Sequence, residues 1–370
     1  MSSKKILFIL DHLKGGGAER IALEVAEEFY NNGYDISIAL LDDKETRMLI
    51  PEHIKKINID LDPIFYTGKF WRKRKEKFLS KDKQKIRELV DEINPNLTIL
   101  SHSYAHLILP IFKKTENVWP WIHSEIMPPP KKETSSLFYW YKEKRRYYLE
   151  HGSFVSIFNK RNIITVNEDL KTSYQTHLPE SNIVVIPNGV NSKRVLKDTS
   201  LNSDIQWNCI FVGRLSPEKQ PEHAIKAFAK SGLEGKMAIV GDGIMESDMY
   251  KLCDELQISD RVDFLGWQKN PSEFIIKSQC LVLSSNIEGS PLIIAEALTL
   301  GVPVVSYQIN SGIEQQLNHS QLKRGLVENQ NIDSLSEKIY EIAKKPYTIS
   351  QEDKNRVSLN FMMKSFENLL

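Results

Sequence analysis

At 370 residues the chain exceeds what one hydrophobic core usually organises, so two domains are expected. Hydrophobic residues at 41% and charged residues at 26% are ordinary for a folded soluble protein, so disorder is not the default. No run approaches the roughly 20 apolar residues that span a bilayer, and the apolar stretch inside residues 1–10 is too short for a secretion signal. A cytoplasmic protein, at most peripheral on the inner face of the cytoplasmic membrane, is therefore expected. The net charge of +1 is unevenly spread: 29 Lys/Arg stand against 25 Asp/Glu up to Val185, and 20 against 23 beyond it. Cys209, Cys253 and Cys280 have no paired or metal-like spacing and read as reduced thiols.

Residues 5–10 (KILFIL) form an unbroken apolar run, the pattern of a strand buried on both faces. Gly15-Gly16-Gly17 follows. Then Ile21, Val25, Ala26 and Phe29 recur at helical spacing, and Asn32-Gly33 ends the helix. Strands are predicted at 35–41, 97–100, 118–122 and 163–166, with a helix over 83–93. Strands alternating with helices predict a parallel sheet. Near 183–190 (IVVIPNGV) a strand runs into a turn, and the polar stretch 191–208 reads as an interdomain boundary. A second alternating series begins there, with strands at 208–212, 237–240, 262–265, 280–284 and 302–306. Helices are predicted at 222–231, 247–256, 271–278 and 291–299. The fold class this implies is α/β, with two doubly wound, Rossmann-like domains facing across a cleft.

Four loops in this pattern suit a diphosphate. Gly213-Arg214-Leu215-Ser216-Pro217-Glu218-Lys219 follows a strand, at the end where doubly wound sheets hold ligands. Arg214 offers a fork and Lys219 a point charge for two phosphates, although a surface turn with incidental charges is the plain alternative. Gly241-Asp242-Gly243 is a second tight loop after a strand, a weak signal alone. Glu288-Gly289-Ser290-Pro291-Leu292 leads into a helix whose free N–H groups near Leu292 make an anion site. Glu288 before that helix and Glu296 within it are placed to bond hydroxyls at two ends of an elongated ligand, such as a sugar and a ribose. Glu288 could equally complement the helix dipole. Glu296, flanked by Ala295, Ala297 and Leu298, needs a partner in any case. Finally Gly15–Gly17 open the first helix, where the amides of Gly16 and Gly17 could meet phosphate across the cleft. The run is not G-x-G-x-x-G, so a dinucleotide site is disfavoured.

Gly16-Gly17-Ala18-Glu19-Arg20, Pro187-Asn188-Gly189-Val190, Gly213-Arg214 with Lys219, Gly241-Asp242-Gly243, Glu288 with Glu296, and Gly301-Val302-Pro303-Val304-Val305 occur in this order. Together, over roughly residues 5–310, they resemble glycosyltransferase family 4, the retaining GT-B enzymes with an E-x7-E motif. The resemblance implies domains at 1–185 (acceptor) and 186–350 (nucleotide-sugar), with 351–370 a helix returning toward the first. It also implies that Arg214 and Lys219 bind the donor diphosphate, Glu288 the donor-sugar hydroxyls and Glu296 the ribose. The amides of Gly289, Ser290 and Leu292 would touch sugar and phosphate, and Gly266-Trp267 would lie by the base. Ser290 departs from the aromatic frequent there, which leaves the donor sugar open, with a UDP-sugar favoured. His123, after the predicted strand 118–122, reads alone as a structural residue, whereas the resemblance places it beside the donor sugar.

His102-x3-His106 reads as structural, because no third ligand stands at suitable spacing, and no Asp-x-Asp pair occupies a promising loop. No metal is expected, since cations and helix amides meet the phosphate charge. The expected acceptor is a lipid-linked or lipopolysaccharide-type glycan. Two basic-aromatic segments, 69–87 with its local excess of +8 and 138–148, suit peripheral contact with an anionic membrane, a plain solvated face being the alternative for the first. Nucleic acid is ranked low, since no recognised binding module accompanies these patches. The rival readings are a nucleotide-sugar epimerase on the same architecture, and a nucleotide-sugar binding module without catalysis.

Overall fold

The computed structural model describes residues 3–44, 46–61, 80–126, 137–197, 199 and 204–370. It divides the chain into two compact units, Met1–Pro187 with Ser365–Leu370, and Asn188–Lys364. The residues expected at the membrane in 69–79 lie outside the described set. Among the described residues no helix is long and apolar enough to cross a membrane.

In the first unit, β1 (Lys5–Leu10), β2 (Asp35–Leu40), β3 (Lys55–Asn58), β4 (Leu97–Ser101), β5 (Val118–Ile122), β6 (Asn162–Thr165) and β7 (Asn182–Val185) form one sheet in the order β3-β2-β1-β4-β5-β6-β7. Every pairing is parallel. The intervening helices are α1 (Gly17–Asn31), α2 (Ser80–Ile93), α3 (Ser103–Leu107), α4 (Leu137–Phe158) and α5 (Glu168–His177). Apolar runs at β1 and β4 are buried on both faces, as a parallel sheet covered by helices requires. Pro120 inside β5 has no N–H to give. Pairing with β6 begins only at Trp121 and Ile122, while the β4 side is paired from Val118 onward. The returning C-terminal residues fill this unit's core: the Phe366 ring meets Trp121 edge-on at 5.0 Å and Phe29 at 6.3 Å. Asn117 Nδ2 also donates to the Leu369 carbonyl at 2.7 Å.

In the second unit, β8 (Cys209–Val212), β9 (Met237–Val240), β10 (Val262–Phe264), β11 (Leu281–Leu283), β12 (Val304–Tyr307) and β13 (Leu326–Val327) form a parallel sheet in the order β10-β9-β8-β11-β12-β13. Its helices are α6 (Ser192–Leu196), α7 (Pro221–Lys230), α8 (Glu246–Glu255), α9 (Ser272–Ile275), α10 (Leu292–Leu300), α11 (Ser311–Leu317), α12 (Ile332–Lys344) and α13 (Gln351–Arg356). The chain ends with α14 (Leu359–Glu367). The tail expected as one helix over 351–370 is thus two, broken at Val357-Ser358, and the residues rejoining the first unit are Ser365–Leu370. The break has a use: Val190 donates to the Val357 carbonyl at 2.9 Å and Leu359 to that of Val190 at 2.8 Å.

Backbone crowding fixes the loops at the carboxyl ends of β8 and β9. Gly241 has φ +136, and a Cβ there would lie 2.0 Å from the Gly213 carbonyl oxygen. The two loops are further tied by Leu215 donating to the Asp242 carbonyl at 2.8 Å.

Two tests follow. His106 is buried, and its Nε2 lies 3.2 Å from the Trp121 carbonyl. Burial, aided by the neighbouring charge of His102, pushes it down from 6.5 to about 3. A depressed folded value means that its contribution is present above pH 6.5 and is lost as pH falls toward 3. His106→Gln, which keeps a donor but does not titrate, should flatten the fall in unfolding free energy between these limits, by up to about 1.4 kcal/mol per pH unit in denaturant titrations; an unchanged slope would refute the assignment. Gly241→Ala should cost about 2–3 kcal/mol and lower the melting temperature by several degrees in a thermal scan.

Candidate functional site

In the second sheet β8 and β11 are neighbours although three elements of helix and two strands separate them in sequence. The loops leaving such a switch point diverge and form a crevice. Here they are laced together. Ser284 Oγ donates to the Gln220 carbonyl at 2.8 Å, and Asn286 N donates to that of Glu218 at 3.0 Å. Gln220 takes a left-handed conformation with φ +45 and hands the chain to Pro221 at the start of α7.

This lacing brings two of the expected residues into contact. Lys219 Nζ donates to Glu288 Oε1 at 2.7 Å, and Ser285 Oγ donates to the same oxygen at 2.7 Å. Glu288 is 8% exposed and Lys219 28%, so the pair is largely desolvated. Asn310, whose side chain caps α11, also holds the Glu288 carbonyl through Nδ2. Arg214 stands apart from this pair: its side chain is 71% exposed, and Nη1 lies 3.6 Å from Glu218.

The chain reaches α10 through Gly289, Ser290 and Pro291, and the helix begins at Leu292, with proline at the cap. Ser290 Oγ accepts from Asn188 N at 3.1 Å and from Gln316 Nε2 at 3.3 Å, and its carbonyl accepts from Asn188 Nδ2 at 2.9 Å. The Asn188 of the Pro-Asn-Gly turn thus fastens the strand-exit loop in place. Glu296, 2% exposed, does have the partner its apolar helix demands, Arg194 of α6, with Nη2 donating to Oε1 at 2.8 Å. Sequence reasoning did not find Arg194: it is 102 positions away, and no spacing rule links the two. On the neighbouring loop the Gly266 carbonyl accepts from Gly241 N at 2.8 Å, Gly266 has φ +65, and Trp267 is 61% exposed.

The first unit holds its own polar cluster at the carboxyl ends of β1, β4 and β5. Gly16 caps α1, and Gly17 is its first residue. A Cβ on Gly16 would lie 2.3 Å from Glu19 Oε2, so glycine lets that buried carboxylate fold back over the turn. Glu19 Oε1 is 3.3 Å from His12 Nδ1, and Oε2 is 3.5 Å from His102 Nε2. Burial alone would raise Glu19, but the contacts with His102 and His12 outweigh it and hold the carboxyl well below its usual range. The same contact raises His12. Asp11 accepts from Tyr104 N at 2.9 Å and Ala105 N at 2.5 Å at the start of α3, and burial pushes it up to about 6. His123 packs against Trp121 with ring centroids 4.5 Å apart and the rings tilted by 41°. Burial, then the charges of His102 and His106, push it down to about 3, and its Nε2 is buried without a hydrogen-bond partner among the described residues. A neutral imidazole with an open nitrogen is suited to a hydroxyl.

His102 and His106 face different partners, Glu19 and the Trp121 carbonyl. Among the described residues no group of three His, Cys, Asp or Glu is arranged to hold a metal ion. His12, Glu19 and His102 were not expected as a cluster, although Glu19 lay in a noted motif, because they meet only when β1 and β4 pair.

Comparisons with known proteins bear on the family and the fold. Residues 15–194 match the model of Glycosyltransferase Family 4, and residues 194–358 that of Glycosyl transferases group 1. An uncharacterized glycosyltransferase of Haemophilus influenzae is 26% identical over 338 residues, 90% of this chain and 88% of its own. The Escherichia coli UDP-Gal:alpha-D-GlcNAc-diphosphoundecaprenol alpha-1,3-galactosyltransferase is 30% identical over 200 residues, 49% of this chain and 50% of its own. In structure, the sucrose-phosphate synthase of Thermosynechococcus elongatus superposes over 99% of this chain and 98% of its own, with a TM-score of 0.75 at 17% identity. Two parallel sheets, each with intervening helices, and two adjoining family matches lead to one conclusion: the chain belongs to glycosyltransferase family 4 and is a glycosyltransferase of GT-B fold.

Proposed function

We propose that the chain transfers a hexose or N-acetylhexosamine from a nucleotide-sugar, a UDP-sugar by preference, to a lipid-linked or lipopolysaccharide-type glycan, with retention of anomeric configuration. The observation that carries this reading is the Lys219–Glu288 contact at 2.7 Å, which sets a cation and a hydroxyl acceptor side by side between the loops after β8 and β11. Glu288 is assigned to the donor-sugar hydroxyls and Lys219, with the exposed Arg214, to the diphosphate. The backbone of Gly289, Ser290 and Leu292 lies at the N-terminus of α10, where helix amides favour anions. Glu296 is assigned to the ribose and the segment Gly266-Trp267 to the base. In the first unit, Gly16 and Gly17 are the candidates for a phosphate contact, and His123 for a sugar hydroxyl.

The reaction breaks the bond between the anomeric carbon and a phosphate oxygen, and negative charge accumulates on the leaving diphosphate. Fixed cations and amides aimed at that charge lower the barrier, so we assign no metal to the step. The donor and acceptor classes are supported by the E. coli relative, whose name gives UDP-Gal and a diphosphoundecaprenol-linked sugar. Helix α4 supports the acceptor class independently. Phe138, Tyr139, Tyr141, Tyr148 and Leu149 are all exposed there, among Lys142 and Arg145, an arrangement suited to an anionic headgroup interface at the cytoplasmic membrane face.

The reading is tested by offering a panel of UDP- and GDP-sugars with a diphospholipid-linked sugar acceptor and following the product's anomeric configuration by NMR. Retained configuration is expected; inversion refutes the stereochemical assignment, and epimerised donor with no acceptor present would point to an epimerase. Lys219→Ala or Arg214→Ala should each cut turnover about a hundredfold or more, the cost of losing one donor to a developing anion, and near-wild-type rates in both would contradict the site. In vesicle flotation, the protein should co-float with phosphatidylglycerol vesicles at low salt, and less with Phe138→Ser/Tyr141→Ser/Arg145→Glu; absence of wild-type binding would count against the membrane contact.

A further inference from the structure

Glu296 is flanked on its own helix by apolar residues: Ala295, Ala297 and Leu298 are fully buried. The cation against it comes from elsewhere in the sequence, and the backbone that carries this cation is firmly seated. Helix α6 is only five residues long, yet Asn191 caps it by accepting from Lys193 N at 3.0 Å and Arg194 N at 3.3 Å. Val195 is fully buried, and Val190 just before the cap is bonded on both sides, to Val357 and Leu359. The guanidinium therefore reaches Glu296 Oε1 from a base that is fixed at several points.

An ionised carboxylate offers about four acceptor sites over its two oxygens, and the contact with Arg194 Nη2 uses one of them. A guanidinium is a planar fork that sets the orientation of the group it binds; an ammonium is a point charge that does not. We propose that Arg194 is a positioning residue for the transfer reaction: by holding Glu296 Oε1 at 2.8 Å through Nη2 it fixes where this carboxylate stands to meet the two adjacent hydroxyls of the donor ribose. The inference rests on the assignment of Glu296 to the ribose, and it makes Arg194 a determinant of selectivity for a ribonucleotide over a deoxyribonucleotide donor.

Calorimetric titration of the full chain with UDP, 2′-deoxy-UDP and 3′-deoxy-UDP tests both statements separately. Wild type should bind UDP about tenfold or more tightly than either deoxy analogue, the size expected of a hydrogen bond to a charged group. Glu296→Gln should erase most of that preference. Arg194→Met should bring the ratio to within about threefold, and adding it to Glu296→Gln should change the ratio little further, because the two residues act as one unit. Should Arg194→Met fail to fold, Arg194→Lys serves: it keeps the cation and loses the fork, so a reduced ratio with a near-wild-type melting temperature supports positioning. A folded Arg194→Lys that keeps the full wild-type ratio, while Glu296→Gln loses it, overturns the role of Arg194 and leaves the ribose assignment standing. A full ratio in Glu296→Gln, or no preference in wild type, defeats the ribose assignment and the inference with it.

Discussion

Two carboxylates drawn into the second unit, Glu288 at 8% and Glu296 at 3% side-chain exposure, set the terms for what surrounds them. A charge taken out of water costs several kcal/mol unless a partner in good geometry compensates it. Each acid here has one, Lys219 for Glu288 and Arg194 for Glu296, and both are supplied from outside the acid's own element. The surrounding architecture serves to deliver those cations. The parallel sheet sends the loop after β8 to the same edge as the loop after β11, which brings Lys219 in. The bridge between Val190 and the break before α14 pins the short helix that carries Arg194. In the function proposed above, Lys219, Glu288 and Glu296 are also the groups assigned to the sugar-diphosphate, so on that reading the resting contacts and the binding contacts share atoms.

The first unit solves a similar problem with histidines. Glu19 is folded back over the glycine turn and meets two imidazoles rather than an arginine or lysine. Imidazoles carry a charge that depends on their surroundings. Within a few residues' reach the same protein edge therefore holds His12 raised by a carboxylate, and His106 and His123 held neutral by burial. The fold separates these behaviours by depth rather than by residue type.

Much of this was legible in the amino-acid sequence. Buried parallel strands announce themselves as unbroken apolar runs, so β1, β5, β9 and β12 were placed within two residues or better. Strands β3 and β13 were not: the first is the exposed edge sequence KKIN, and the second is two residues long. Helix α4 escaped because aromatic and basic residues surround it, which blurs the apolar stripe that marks a surface helix. At the site, Lys219 and Glu288 were visible because each sits in a loop whose motif has a chemical reading. That Glu296 needs a counter-charge was also visible, but not that Arg194 provides it. Ion pairs formed across a hundred residues leave no periodic trace, and the meeting of His12, Glu19 and His102 depends on strand order, which local pattern does not encode.

The passage of α14 from one unit to the other has a consequence for how the chain is made. Synthesis runs from the N-terminus, and domains tend to fold as they emerge. The seven strands of the first sheet leave the ribosome before the second unit is made, yet the ring that occupies the space beside Trp121 and Phe29 belongs to Phe366, which follows that unit. Until Phe366 emerges, that nascent sheet carries an unfilled aromatic socket, and a segment made after the whole second unit acts as the latch that completes its interior.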